Sequence, residues 1–242
     1  MPDWRPLIVR REDGFPRIMG VLNITPDSFF EDSRSNNISE TIKIAESMIQ
    51  NGADWLDIGG ESTRPGANPV KEEEEISRVI PVIRELRKRF PKVGISVDTR
   101  RAKVAALSLE EGADMINDVS ALSDQNMINV VKQSDCCICL MHMKGLPENM
   151  QNNPQYDDVV MEVRRKLNEK VSLLLEEGIN QERIIVDPGI GFGKSLEHNL
   201  LLLKSGREII PLSNIKLMWG VSRKSMFSEL LGRIEARDRL AG

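Results

Sequence analysis

The 242 residues carry 33 Lys and Arg against 37 Asp and Glu, a formal charge of −4 that offers no general basic field for nucleic acid. With 40% hydrophobic and 29% charged residues, the chain has the balance of a soluble globular protein and the length for one large α/β domain. No apolar run approaches the ~20 residues that span a bilayer. Arg and Asp flank the few apolar residues of MPDWRPLIVRRED, so no secretory leader is read and the expected compartment is the cytoplasm.

Residues 1–17 read as an extended segment or hairpin ahead of the first strand. Apolar runs then predict strands at 18–23 (IMGVLN), 55–59 (WLDIG), 93–98 (VGISVD), 114–119 (DMINDV), 137–141 (CICLM), 183–187 (RIIVD) and 216–221 (KLMWGV). Helical patterns fill the gaps, at about 38–51, 72–90, 101–111, 124–133, 157–177, 195–205 and 225–232. The joints repeat. Asn51-Gly-Ala-Asp54, Glu111-Gly-Ala-Asp114 and Glu177-Gly-Ile-Asn180 each close an amphipathic stretch with a glycine suited to the left-handed helix cap, just ahead of a strand.

Seven βα units in series predict an α/β fold, a (β/α)8 TIM barrel, as a single domain over residues 1–242. A doubly wound open sheet would call for a Gly-rich dinucleotide fingerprint after the first strand, and NITPDS is not one. The series ends before an eighth strand and its last helices, so the barrel is expected to be truncated there. The segment KEEEEISRVIPVIRELRKRF, acidic in its first turn and basic in its last, reads as a solvated surface helix without a function.

Cys136, Cys139 and His142 have the C-x-x-C-x-x-H spacing of metal ligands, but CCICLMHM also reads as a buried strand. Strand alternation sends the two cysteines to opposite faces, and no fourth ligand is identified, so the core strand is the preferred reading. An odd number of clustered cysteines is no disulfide framework.

In a barrel the chemistry sits at the C-terminal ends of the strands. Asp98, Asn117 and Asp187 end the third, fourth and sixth strands; a carboxylate accepts two parallel N–H donors and an amide offers both a donor and an acceptor. Together they suit a heterocycle with an amino-amide edge, such as a pterin or purine. DPGIGFGKS fails the phosphate-loop pattern because Pro188 stands where its first glycine belongs. It reads instead as a flexible glycine loop beside the site, with Phe192 exposed at its tip. Arg64, and Ser222 with Arg223 and Lys224, add basic or anion-binding groups at two other strand ends.

Seven motifs in order, LNITPDSF, DIGGESTRPGA, SVDT, INDVSA, MHMKG, DPGIGFGK and GVSRKS, resemble the dihydropteroate synthase family of pterin-binding enzymes over essentially the whole chain. The resemblance implies a transferase of folate biosynthesis and a sulfonamide target. Its reaction condenses 6-hydroxymethyl-7,8-dihydropterin pyrophosphate with p-aminobenzoate, giving 7,8-dihydropteroate and pyrophosphate. It implies catalytic roles for Asp98, Asp187, Lys224 and Arg64, with the pterin held by Asp98, Asn117, Asp187 and Lys224. Thr63 and Arg64 would serve the pyrophosphate and p-aminobenzoate, Met141 would contact substrate, and Phe192 and Ser222 would line the p-aminobenzoate pocket. Mg²⁺ is the implied cofactor, with Asn23 as its ligand, and a homodimer the implied assembly; no nucleic-acid or membrane partner is expected. The family continues past RLAG to an Arg-x-His strand that contacts pyrophosphate, which leaves an impaired or non-catalytic pterin-binding protein as the alternative. A related barrel that transfers methyl groups from a folate is disfavoured by NITPDSF and SRKS.

Overall fold

The computed structural model describes residues 3–24, 34–61, 70–145, 150 and 153–232. They divide into a first unit reaching Ile138, apart from Val119–Ala121, and a second unit of those three residues with Cys139 onward.

The first unit holds parallel strands β1 (Met19–Asn23), β2 (Trp55–Gly59), β3 (Gly94–Asp98) and β4 (Met115–Asp118), paired in that order. Helices α1 (Arg34–Gln50), α2 (Glu72–Arg89) and α3 (Ala102–Glu110) connect them. β2 is buried along its whole length, as a parallel strand covered on both faces must be, which is why its sequence runs apolar rather than alternating. β5 (Cys137–Met141) follows α4 (Asn126–Lys132), and its first residue donates to Asp114 O at 2.9 Å. All three cysteines are buried and none is in a disulfide, so CCICLM is core. Residues 5–8 form a 3-10 turn where an extended segment or hairpin was expected.

The G-A-D repeat has a structural cause. Gly52 and Gly112 take the left-handed conformation, and the aspartate two residues on clamps the start of the preceding strand. Asp54 N donates to Ile18 O at 2.8 Å while its Oδ2 accepts from Ile18 N at 2.8 Å. Asp114 treats Ile95 the same way, at 2.7 and 2.9 Å. In both copies an arginine bridges the glycine carbonyl and the carboxylate, Arg11 in one and Arg87 in the other. Burial pushes the Asp54 carboxyl up, but hydrogen bonds from Arg11, Ile18 N and Arg17 outweigh it and hold it low. At Asp114 burial wins and the carboxyl lies above its ordinary value.

α2 corrects the solvated-helix reading. Its Glu75 is 0% exposed and its Arg78 4%, beside apolar Val79, Val82, Ile83 and Leu86. Arg78 Nη1 donates to Gly60 O at 2.6 Å, and Arg101 pairs with both Glu75 and Glu61. Only the outer face of this helix is solvated.

In the second unit β5 ends beside β6 (Ile184–Asp187), where His142 N donates to Asp187 O at 2.9 Å, and β6 pairs in parallel with β7 (Lys216–Leu217). β7 is shorter than the expected 216–221, although Met218 N still reaches Val186 O at 2.9 Å. The helices are α5 (Val159–Glu176), α6 (Leu196–Lys204), α7 (Gly206–Ile209) and α8 (Ser225–Leu231). Ser195 and His198 close α6 with a capping box. No helix among the described residues is long and apolar enough to cross a membrane.

Candidate active site

In the first unit the strand register sets four residues in one row, Asn23 beside Gly59, Gly59 beside Asp98 and Asp98 beside Asn117. The lack of a side chain at Gly59 is what brings the two polar groups flanking it close. A Cβ there would stand 3.3 Å from Asn23 Oδ1 and 3.7 Å from Asp98 Oδ2. Two residues back, on the same face, lie Asp57 and Ser96, paired across β2 and β3. Asn117 Nδ2 donates to Asp57 Oδ2 at 3.0 Å, which orients the amide so that its oxygen is left to accept. Asp57 Oδ1 and Ser96 Oγ are buried without a hydrogen-bond partner among the described residues.

These carboxylates crowd one another. Burial, then the neighbouring charges of Asp57, Glu75, Asp118 and Glu61, holds the Asp98 carboxyl well above the usual carboxylate range. Burial likewise raises Asp57. An N–H-rich heterocycle edge would relieve this crowding by donating to the ionised form.

In the second unit the expected residues also sit at strand ends. Asp187 closes β6, buried, with Oδ1 accepting from Gly189 N at 2.7 Å. Burial raises its carboxyl, with Lys224 and Lys194 pulling the other way. A Cβ at Gly220 would lie 3.5 Å from Asp187 Oδ2. Met141 ends β5, buried. Phe192 is half-buried rather than exposed at a loop tip, because Lys224 Nζ lies 4.0 Å from its ring centroid in a cation–π contact. Ser222 and Arg223 are exposed, and Arg223 has a left-handed φ of 59°. Thr63 and Arg64 lie outside the described residues.

Sequence reasoning missed Asp57, Lys194 and Tyr156, and weighed His142 only as a metal ligand. Asp57 carried a signal, since period two places it on the face of Gly59. Lys194 and His142 are both buried, with Nζ 3.0 Å from His142 Nδ1. Burial, then Lys194, pushes the His142 imidazole down to about 3, so it is neutral and its Nδ1 accepts. Tyr156 Oη donates to Gly193 O at 2.9 Å.

For a divalent cation the described residues offer little protein ligation, with no cluster of three His, Cys, Asp or Glu side chains. Mg²⁺ is commonly held by one or two carboxylates plus substrate phosphates and several waters, so much of its ligation comes from outside the protein. The amide oxygen of Asn23, an exposed residue at the end of β1, would add a single neutral ligand to such a set.

Comparison with known proteins places these strand ends in context. A profile of the family described as pterin binding enzyme matches residues 19–242. The dihydropteroate synthase of Escherichia coli K12 is 44% identical over 227 residues, 94% of this chain and 79% of that protein. Among solved structures, the Yersinia pestis dihydropteroate synthase in complex with a sulfonamide drug aligns with a TM-score of 0.86 at 41% identity, covering 94% of this chain and 82% of that one. The Xanthomonas albilineans dihydropteroate synthase with 4-aminobenzoic acid aligns with a TM-score of 0.84 at 41% identity, over 93% and 80%. The fold is therefore the TIM barrel expected from the βα repeat, with seven of its strands among the described residues.

Proposed function

The chain belongs to the dihydropteroate synthases of the pterin-binding enzyme family, and from that membership we propose that it joins 6-hydroxymethyl-7,8-dihydropterin pyrophosphate to p-aminobenzoate in folate biosynthesis. The observation that supports this reading is the level row at the ends of β1–β4, with an acceptor amide and a crowded carboxylate beside the amide of Asn23. Asp98 and Asn117 are assigned to the amino-amide edge of the pterin. Asp187 and Lys224 are assigned to the same ring, Lys224 donating to its carbonyl. Phe192, Ser222 and Met141 are assigned to the p-aminobenzoate side. Thr63 and Arg64, by family resemblance, serve the pyrophosphate and the acceptor.

The reaction requires no side-chain nucleophile. The bond from the exocyclic methylene carbon to the pyrophosphate oxygen breaks, and its electron pair leaves with pyrophosphate. The amine lone pair of p-aminobenzoate then forms the C–N bond and a proton is released from nitrogen. Ionised Asp98 and Asp187 beside the ring favour the positive charge that develops on the pterin as the leaving group departs. Asn23 would hold Mg²⁺, which when bound supplies positive charge against the pyrophosphate oxygens. A cytoplasmic, homodimeric enzyme built on one pterin-binding domain completes the proposal, with no nucleic-acid or membrane partner.

The test is incubation with both substrates and Mg²⁺, reading dihydropteroate by chromatography and pyrophosphate by a coupled assay. Formation of both in equal amounts is expected. Saturable pterin binding without either product would favour the non-catalytic pterin-binding reading instead.

A further inference from the structure

Lys194 is 3% exposed and makes no ion pair among the described residues, an expensive position for an ammonium group. Burial pulls it down to about 7, with Asp187 opposing and Lys224 and Lys144 reinforcing the fall. What surrounds it instead are uncharged acceptors from two segments, the 189–192 turn and His142. Nζ reaches Gly189 O and Phe192 O at 3.0 Å each, His142 Nδ1 at 3.0 Å and His142 O at 3.3 Å. Those carbonyls close the turn in which Phe192 N donates to Gly189 O at 3.1 Å. The turn has no slack, because a Cβ at Gly189 would stand 1.9 Å from His142 O and one at Gly193 2.2 Å from Lys144 O. A methionine would fill the same space without the desolvation cost, so packing alone does not explain a lysine here.

We propose that Lys194 is a positioning residue for the acceptor substrate: its ammonium gathers the Gly189 and Phe192 carbonyls into the turn that sets the Phe192 ring against Lys224. The assignment to the acceptor rests on the function proposed above, whereas the role in the turn does not.

Two measurements decide it. In Lys194→Met, amide hydrogen exchange at residues 189–193 is expected to rise at least tenfold while Ile184–Val186 of β6 stays unchanged. In turnover, the KM for p-aminobenzoate is expected to rise about tenfold, with the KM for the pterin pyrophosphate moving less than threefold. The same substitution in a Phe192→Ala background should add less than twofold to the acceptor KM, since Lys194 acts through that ring. Should Lys194→Met not fold, Lys194→Gln, which keeps two N–H donors at shorter reach, gives the same comparison. Unchanged exchange at 189–193 overturns the positioning role, and additive effects of the two substitutions overturn the route through Phe192. Exchange is read without substrate, so it decides the turn even if the wild-type chain forms no dihydropteroate, an outcome that overturns the function.

Discussion

Replacing Gly59 by alanine places one methyl group between the two halves of the row. Its backbone is that of a β-strand, so alanine brings no left-handed strain, and replacing a glycine where alanine fits without strain ordinarily stabilises by about 0.4–1 kcal/mol. Against that, the new Cβ would meet Asn23 Oδ1 at 3.3 Å, a few tenths of an ångström too close, while Asp98 Oδ2 at 3.7 Å is in ordinary contact. Asn23 is exposed and can swing away, so the fold should absorb the change with a net stability effect within about 1 kcal/mol. Its amide oxygen then leaves the position assigned to Mg²⁺. A misplacement of about 1 Å in a positioning group can cost a factor of about 100. The expected fall in kcat/KM for the pterin pyrophosphate is therefore about ten- to a hundredfold, or roughly 1.4–2.7 kcal/mol of transition-state stabilisation. Thermal unfolding and steady-state kinetics across a Mg²⁺ titration measure both quantities. A variant with wild-type kcat/KM and an unchanged Mg²⁺ requirement would refute the role given to this row. Gly94→Ala is the contrasting control, because its Cβ would lie 2.4 Å from the ring of buried Trp55, which cannot swing aside. It should lose about 1–3 kcal/mol of stability and leave both KM values alone.

Asp98→Asn should lower pterin affinity at least a hundredfold while raising the melting temperature at neutral pH. The sign follows from a folded-state pKa above the unfolded one: the folded state holds more protons through that interval, so wild-type stability falls as pH rises across it and the gain of the variant should vanish below about pH 4. A variant less stable than wild type at pH 7 by differential scanning fluorimetry would contradict this. Asp114→Asn removes one partner of the buried pair with Arg87 and weakens acceptance from Ile95 N, so urea unfolding should show a loss of about 3 kcal/mol without any change in KM. Asn23→Ala should raise the Mg²⁺ concentration for half-maximal turnover about tenfold or more, in line with the cost of losing one ligating oxygen, and a chelator should abolish product while leaving the melting temperature of the substrate-free protein unchanged.

The strands were legible because parallel, doubly covered strands are written as short apolar runs, and CICLM and WLDIG are buried throughout. Asp98, Asn117 and Asp187 were legible as polar residues ending such runs. Glu75 and Arg78 were not, because a charged helix looks alike whether its partners are water or, as here, Arg101 and Gly60 O. Lys194 hid inside a near-miss to a phosphate loop, and its real partners are main-chain carbonyls, which the sequence does not encode. Phe192 reads as an exposed loop tip because its cover, Lys224, is distant in sequence.

The aspartate clamps at Ile18 and Ile95 act far from the chemistry, at the opposite ends of the strands from Asn23 and Asp98. A strand slipped by one residue would turn every side chain to the wrong face. Each clamp grips both the N–H and the C=O of a single residue, so it admits one alignment of β1 on β2 and one of β3 on β4. The clamps work as a datum from which the whole length of each strand is measured. Redesign of this chain for a different ligand therefore has freedom at the row itself, provided Asp54 and Asp114 are left untouched.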